Sequence, residues 1–299
     1  MRKILLILIS ITLFINLSSA NTGSSGLTYL TLPPSGRSAA SMEVLTSLSN
    51  SPLAIFSSPL GTKSKTPQLS FSHNIWFSDI HSEALALGYP TQYGDFGIGL
   101  NLVQIPGFEV RDKPMVDPQG ETDVQYFSGN LSYTKKVLPQ IRMGATFKYL
   151  FEHLYTETAT GFAADLGILW EAPADLNLSA SLKNYGKMNE LYQESTTLPQ
   201  TLVIGVVRPE LLNEGPLSAS LGVNVKSNLV TNETGSQIGG ELAVKQRLFL
   251  RAGYEKYGEV DKKSFGVGLK YKNFILDYGI LLMDNNLANP KLITLNYCF

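Results

Sequence analysis

The chain has 299 residues, with 24 Lys and Arg against 25 Asp and Glu, so its formal net charge is −1. This balance excludes the strongly basic surface with which many nucleic-acid-binding proteins attract their ligand, so no nucleic-acid partner is expected. Charged residues make up only 16% of the chain and aromatic residues 10%, beside 26 Gly. This composition favours a β-rich protein, either a large soluble one or one whose sheet faces lipid.

The N-terminus predicts a secretory signal peptide over residues 1–20. Arg2 and Lys3 precede an apolar run from Ile4 to Leu17, and small residues ending at Ala20 supply a cleavage site. No later run of about 18 apolar residues occurs, so further helical spans are not expected. The mature chain should leave the cytoplasm, and any later membrane crossing should use a β-barrel.

Residues 21–66 are rich in Ser, Thr, Gly and Pro, with one helix-like piece over Arg37–Leu48. We interpret this segment as an N-terminal plug, with a disordered leader as the alternative. The apolar stretch Leu53–Phe56 argues against full disorder. The candidate side chains for a plug or ligand pocket are Leu53, Ile55, Phe56 and Pro59.

Residues 67–299 show the two-residue alternation of half-buried strands. Between Leu217 and Lys226, for example, apolar residues alternate with small or polar ones. Several strands run about nine to fourteen residues, which is longer than usual in soluble sheets and suited to tilted membrane strands. The pattern predicts an all-β fold, a closed antiparallel transmembrane β-barrel of about 14 strands with a short N-terminal plug.

The predicted connections alternate in length. Those after even strands are mostly tight, with Glu210–Pro216 as a longer exception, whereas those after odd strands, such as Val103–Glu121 and Gly258–Lys263, are often longer. Short periplasmic turns opposite longer outer loops are the layout of an outer-membrane barrel, so we expect the protein in the bacterial outer membrane.

The C-terminus carries a candidate assembly signal. Apolar or aromatic residues share one parity there, and the last residue is aromatic. This resembles the terminal-strand signal that the bacterial barrel-assembly machinery reads. The residues proposed to form it are Leu295, Tyr297 and Phe299.

Charges of both signs have the inward parity, and many Gly and Ser accompany them. The charges either form ion-pair networks that fill the lumen or line a solute path, and the small residues predict close packing against the plug. The charged residues are Arg142, Lys148, Asp165, Lys183, Lys226, Glu241, Lys245, Arg251, Glu255, Lys270 and Asp277.

Catalytic signals are weak. The three histidines, His73, His81 and His153, accompany no Gly-x-Ser-x-Gly elbow, and the acidic residues near Asp117 lack calcium-loop spacing. The one cysteine, Cys298, cannot form an intrachain disulfide. We therefore nominate no catalytic, cofactor-binding or metal-binding residue and expect a protein that is not an enzyme.

Several segments resemble the PorV/PorQ family of outer-membrane proteins. The stretch Pro67–Ile80 (PQLSFSHNIWFSDI) is similar to the family's first strand and turn, and Leu87–Leu100 is similar to the next part of the family's sequence. Gly161–Ile168 and Lys183–Gly186 also lie where the family has similar segments. The plug departs from the family, because Ser57–Gly61 stands where an Asn-Pro-Ala-type motif is common.

The resemblance implies an architecture similar to that of the FadL fatty-acid transporters, a barrel of 14 strands with an N-terminal plug. It also implies a role as a component or partner of type IX-like protein secretion, with secretion-system subunits or exported cargo as partners. The alternative is FadL-like transport of long-chain fatty acids or other hydrophobic small molecules. Outer-membrane lipid, lipopolysaccharide and the barrel-assembly machinery are further expected partners.

Overall fold

A computed structural model describes residues 25–61, 65–77, 79–110, 119–258, 260–283 and 288–299, and the predicted signal peptide lies outside these ranges. Within them, fourteen strands form one closed antiparallel barrel. The barrel strands are β1 (Gln68–Ile75), β2 (His81–Thr91), β3 (Gly94–Val110), β4 (Gly120–Leu138), β5 (Ile141–Leu154), β6 (Glu157–Ala172), β7 (Leu176–Met188), β10 (Thr201–Glu214), β11 (Leu217–Asn228), β12 (Thr234–Val244), β13 (Leu248–Tyr257), β14 (Val260–Tyr271), β15 (Phe274–Met283) and β16 (Lys291–Cys298). A separate hairpin consists of β8 (Glu190–Leu191) and β9 (Glu194–Ser195).

Strands that follow each other in the chain pair around the barrel, and the sheet closes between β1 and β16. At this closure Gln68 lies opposite Cys298, and Ile75 lies opposite Lys291. β7 pairs with β10 because the β8–β9 hairpin is inserted between them. Closure leaves no free strand edge, which is the condition for a sheet to cross a bilayer. The predicted antiparallel barrel of about 14 strands is confirmed.

The connections sort by length to two ends of the barrel. At one end, which we call the turn end, two or three residues join β2 to β3, β4 to β5, β6 to β7 and the later pairs in the same series. The opposite end, the loop end, has the longer connections, including the one between β7 and β10, together with two-residue connections after β5 and β13. The chain enters β1 and leaves β16 at the turn end, as the alternation predicts.

Three predicted loops are shorter than expected. The one predicted over Val103–Glu121 is strand at both ends, since β3 continues to Val110 and β4 begins at Gly120. The connection predicted over Glu210–Pro216 is a two-residue turn, because β10 continues to Glu214 through an irregularity around Pro209. Proline has no N–H to give to the ladder, so the strand bulges there and then resumes. The loop predicted over Gly258–Lys263 is also tight, since β14 begins at Val260.

The two faces of the sheet differ in polarity. On β1, Ser70 and Ser72 point inward and are completely buried, whereas Phe71 points outward and is 46% exposed. Ile98 and Phe265 are outward-facing examples on other strands. An apolar outer surface around a closed sheet is suited to a lipid environment.

Residues 25–61 fold into the lumen as a plug. This segment contains a short α-helix, α1 (Gly36–Ala40), and three 3-10 helices, at Thr28–Thr31, Thr46–Leu48 and Pro52–Phe56. The helix predicted over Arg37–Leu48 is therefore broken, because Met42 and Glu43 adopt left-handed backbone conformations that an α-helix cannot continue. In the described part of the chain, no helix has the length and apolar composition to cross a bilayer.

Candidate functional site

Glycines on the inward face of the barrel let the plug backbone touch the wall. A Cβ atom on Gly144 would lie 2.0 Å from the carbonyl oxygen of Pro59, and one on Gly279 would lie 2.3 Å from that of Gly36. A side chain larger than hydrogen would therefore push the plug off the wall at these positions. The close packing predicted from the inward small residues is confirmed.

The four predicted plug or pocket residues lie against the barrel wall. Leu53 and Ile55 are completely buried, and together with Phe56 they pack on two alanines of β2. The carbonyl oxygen of Pro59 accepts a hydrogen bond from Thr134 Oγ1 at 2.8 Å. These residues anchor the plug, and their role in ligand binding stays a prediction.

A completely buried ion pair joins β5 and β6 to a bulge in β7. Lys148 Nζ lies 2.8 Å from Asp165 Oδ2 and donates a hydrogen bond to Asn184 Oδ1 at 2.7 Å. The backbone N–H of Asn184 donates to Asp165 Oδ1 at 2.7 Å, and Asn184 Nδ2 donates to the Pro199 carbonyl at 3.1 Å. The cluster therefore fixes three strands and the segment that leads into β10.

A second cluster is built around Arg251 and links the plug to the wall. Arg251 Nε lies 2.6 Å from Glu241 Oε2, and Arg251 Nη1 lies 2.6 Å from Asp277 Oδ1. Arg37 of the plug lies 3.4 Å from Glu241, and Asn296 Nδ2 donates to Asp277 at 3.2 Å. In this part of the lumen the charges form a space-filling network rather than an open path.

Four predicted inward charges do not join such networks. Lys245 lies in the turn after β12, and Lys270 is exposed at the turn end, so alternation was insufficient to place them. Lys183 and Lys226 face the lumen, but they have no carboxylate within 4 Å among the described residues.

A cavity of about 280 Å³ lies beside the plug at the loop end. One side is apolar and includes Trp76, Met42 and Leu281, which also belong to one buried apolar cluster. The opposite side carries charged and amide groups. They are Glu43, Lys226, Gln237, Glu255 and Lys262. An apolar pocket with a few polar groups suits a small organic ligand.

The sequence did not identify Trp76 as a site residue. It follows β1, in a connection where two-residue alternation no longer tells inward from outward. In the structure Trp76 is 4% exposed, and its Nε1–H donates to Ser82 Oγ at 3.2 Å. A buried Trp whose N–H has a partner is a rigid apolar surface.

The first residues of the plug close the lumen opposite this cavity. Leu27 and Leu30 are buried in an apolar cluster formed with β3, β5 and β6. The ring of Tyr29 stacks on Tyr126 with centroids 5.3 Å apart, and its hydroxyl donates to the Phe127 carbonyl at 3.3 Å. Burial raises the pKa of the Tyr29 hydroxyl, which therefore stays neutral.

The predicted assembly signal forms the end of the barrel seam. Leu295 is an outward-facing residue, and the Tyr297 ring contacts those of Phe274 and Phe299, with centroids 4.9 Å apart in both pairs. The backbone N–H of Phe299 donates to the Pro67 carbonyl at 3.0 Å. Recognition of these residues by the assembly machinery stays a prediction.

No protein-family model matches the chain, and no curated protein matches it. Among solved structures, a Pseudomonas aeruginosa FadL homologue has a TM-score of 0.64 and 12% identity, covering 90% of this chain and 99% of its own. The Pseudomonas putida toluene transporter TodX has a TM-score of 0.60 and 11% identity, covering 81% and 91%. The monoaromatic hydrocarbon channel CymD has a TM-score of 0.59 and 9% identity, covering 94% and 99%.

At these identities the likeness shows a shared fold and nothing finer. The FadL-like architecture that the sequence predicted is confirmed. Membership of the PorV/PorQ family stays a prediction, because no family model matches. The chain thus has a closed fourteen-stranded antiparallel barrel, a fold that it shares with these solved structures.

Proposed function

We propose that this protein lies in the outer membrane and carries a hydrophobic small molecule into its barrel. The observation that carries the proposal is the cavity at the loop end, whose apolar side is formed by Trp76, Met42 and Leu281. The loop end is the outer face when short turns are periplasmic, so the cavity is on the side from which a solute arrives. The fold shared with proteins named as hydrocarbon and toluene transporters supports this function over secretion.

The cavity favours a compact ligand. Its volume of about 280 Å³ is at the lower end of the roughly 300–1,000 Å³ of small-molecule sites. A single aromatic ring or part of an acyl chain fits this volume beside Trp76. A long-chain fatty acid would place only part of its length there unless the plug moves.

Intrinsic fluorescence offers a direct binding test, because the chain has 2 Trp and Trp170 lies on the outer face. A Trp170→Phe variant leaves Trp76 as the reporter. Titration with toluene and with oleate in detergent should change its emission in a saturable way, with at least one of the two ligands.

A matched pair of variants tests the location. Trp76→Ala should weaken the binding measured by calorimetry roughly tenfold, about 1.4 kcal/mol, since it removes the largest apolar surface of the cavity. Trp170→Ala should leave the affinity unchanged. Equal effects of both variants, or no saturable binding at all, would contradict the proposal.

Partnership in protein secretion is a second candidate, favoured by the filled lumen and by exposed aromatic rings in the loop-end connections. Tyr155 is 55% exposed and Tyr192 is 77% exposed, and both lie at this end. Exposed tyrosines are common in protein interfaces. A pull-down from detergent-solubilised outer membrane should then recover secretion-machinery subunits or exported cargo. Recovery of the barrel alone with a bound hydrophobic molecule would favour transport.

A further inference from the structure

A narrow polar crevice continues from the loop-end cavity along one side of the plug. It lies between the plug and strands β7, β10, β11 and β12 and has a volume of about 30 Å³. It shares Glu43, Lys226 and Gln237 with the larger cavity. Its deepest wall residue on β7 is Ser179, close to the turn-end start of that strand. We call this crevice the polar channel.

Two lysines point into the polar channel with no carboxylate within 4 Å in the described part of the chain. Lys183 on β7 is 4% exposed, and within the described ranges it has neither an ion pair nor a hydrogen-bond partner. Lys226 on β11 has no carboxylate within 4 Å in those ranges, and its nearest ring contact is Tyr257, with Nζ 5.7 Å from the centroid. An ammonium group taken out of water without a partner is costly. Water or an anion in the polar channel would remove that cost.

Hydroxyl groups of the plug face the same crevice. Ser47 is 8% exposed and Ser57 is 6% exposed, and the Oγ atom of each lacks a hydrogen-bond partner among the described residues. Buried polar atoms of this kind are ordinarily satisfied by water or by a ligand. The polar channel therefore has donors on both of its walls, two lysines from the barrel and two hydroxyls from the plug.

The charge of the polar channel is positive. Glu255 above it lies 2.7 Å through Oε1 from Lys262 Nζ and also attracts Lys226 electrostatically, so three lysines face two glutamates around the crevice. Glu43 is then the acidic residue that opposes Lys183 and Lys226, and one Glu43 oxygen is buried without a hydrogen bond in the described part of the chain. The polar channel therefore carries two positive charges against one negative charge, which favours an anion over a cation there.

The size of the polar channel limits what passes. A void of about 10–15 Å³ is enough for one water, so the polar channel, at about 30 Å³, holds a short file of waters or one small ion. The donors of the polar channel can replace part of the hydration shell of an ion that enters it. We propose that the polar channel is a hydrated passage that conducts small inorganic anions, chloride among them, past the plug.

The reversal potential in a planar lipid bilayer under a KCl gradient measures this selectivity. The full-length protein should conduct, with chloride more permeant than potassium. Lys183→Gln and Lys226→Gln should each lower the chloride-to-potassium permeability ratio at least about threefold, and Glu43→Gln should raise it. Lys187→Gln is the matched control, because Lys187 lies on the same strand but is exposed on the outside.

Each variant is first checked for the heat-modifiable gel migration of a folded barrel. Because Lys183 and Lys226 lie on different strands, either lysine variant tests the proposal if the other does not fold. A wild type that is closed or cation-selective would overturn the proposal. So would lysine variants that fold but match Lys187→Gln in selectivity. Binding of hydrophobic ligands by the upper cavity is measured separately, so the two proposals can fail independently.

Discussion

The two sides of the plug contact the barrel in different ways. On one side, which we call the anchored side, Leu53, Ile55 and Phe56 pack on β2, and the Pro59 backbone touches Gly144 on β5. On the other side, along the polar channel, Ser47, Ser57 and Glu43 present polar atoms that lack hydrogen-bond partners among the described residues. The same short segment is thus close-packed on β2 and β5, whereas along the polar channel it presents these polar atoms next to an apolar contact of Val44 with Val207 on β10.

The difference shows how one plug can both seal and conduct. Apolar burial and glycine contacts fix the position of the plug. A void or an extra methyl group at these contacts lowers the free energy of unfolding by roughly 0.5–3 kcal/mol. The polar channel contributes little to that anchoring, since its polar atoms gain nothing from the wall. Movement of water or ions along the polar channel then requires no displacement of the anchored side.

The largest effect is expected where a buried lysine has its counter-charge. Lys148→Met should lower the free energy of unfolding by about 3–5 kcal/mol, because it leaves Asp165 buried and uncompensated. Lys183→Met should change it by less than about 1 kcal/mol, because Lys183 has no carboxylate partner among the described residues. Urea titration in detergent micelles measures both. Similar losses of unfolding free energy in the two variants would contradict the distinction between the close-packed part of the lumen and the polar channel.

Truncating the anchored side should have the next largest effect. Leu53→Ala leaves a void in a completely buried cluster and should cost about 2–5 kcal/mol. Leu48→Ala, at a half-buried plug position, should cost clearly less in the same titration. If the Leu53 variant unfolds like the wild type, the plug is not held by this cluster.

Adding one methyl group at a glycine contact should cost about 1–3 kcal/mol. In Gly144→Ala the new Cβ lies 2.0 Å from the Pro59 carbonyl oxygen, so the plug or the strand must shift. Gly129→Ala is the control, because its Cβ would meet its nearest atom at 3.7 Å. The temperature at which gel migration changes should fall for Gly144→Ala and stay constant for Gly129→Ala.

The barrel was predictable from the sequence, because two-residue alternation and loop lengths depend on local residues alone. The pairing of individual charges was not. Lys148 and Lys183 have the same inward parity, but Lys148 lies diagonally across from Asp165, whereas Lys183 lies opposite Thr201. The bulge beside Asn184 also shifts the pairing of β7 with β6, and alternation does not encode such a shift.

The cavity was also beyond the sequence pattern. Trp76 lies in a connection and Met42 in a plug turn, and neither position has a strand period that assigns a direction. The predicted loop over Glu210–Pro216 failed for a related reason. A proline such as Pro209 usually predicts the end of a strand, but here β10 bulges at the proline and then continues to Glu214.

The smallest effect on the free energy of unfolding is expected from replacing single serine hydroxyls. Ser35 and Ser57 have the same side chain, so a difference between their variants reflects the hydrogen-bond partner alone. Ser35 accepts a hydrogen bond from the Ser38 backbone N–H in the capping box of α1, so Ser35→Ala should cost about 1 kcal/mol. Ser57→Ala should change the free energy of unfolding by less than about 0.5 kcal/mol, since its hydroxyl has no partner in the described ranges and water takes its place in the polar channel. Urea titrations of the two variants in parallel measure the difference. Equal losses would mean that the Ser57 hydroxyl is held as firmly as the Ser35 hydroxyl, and the polar channel would then be as closely packed as the anchored side.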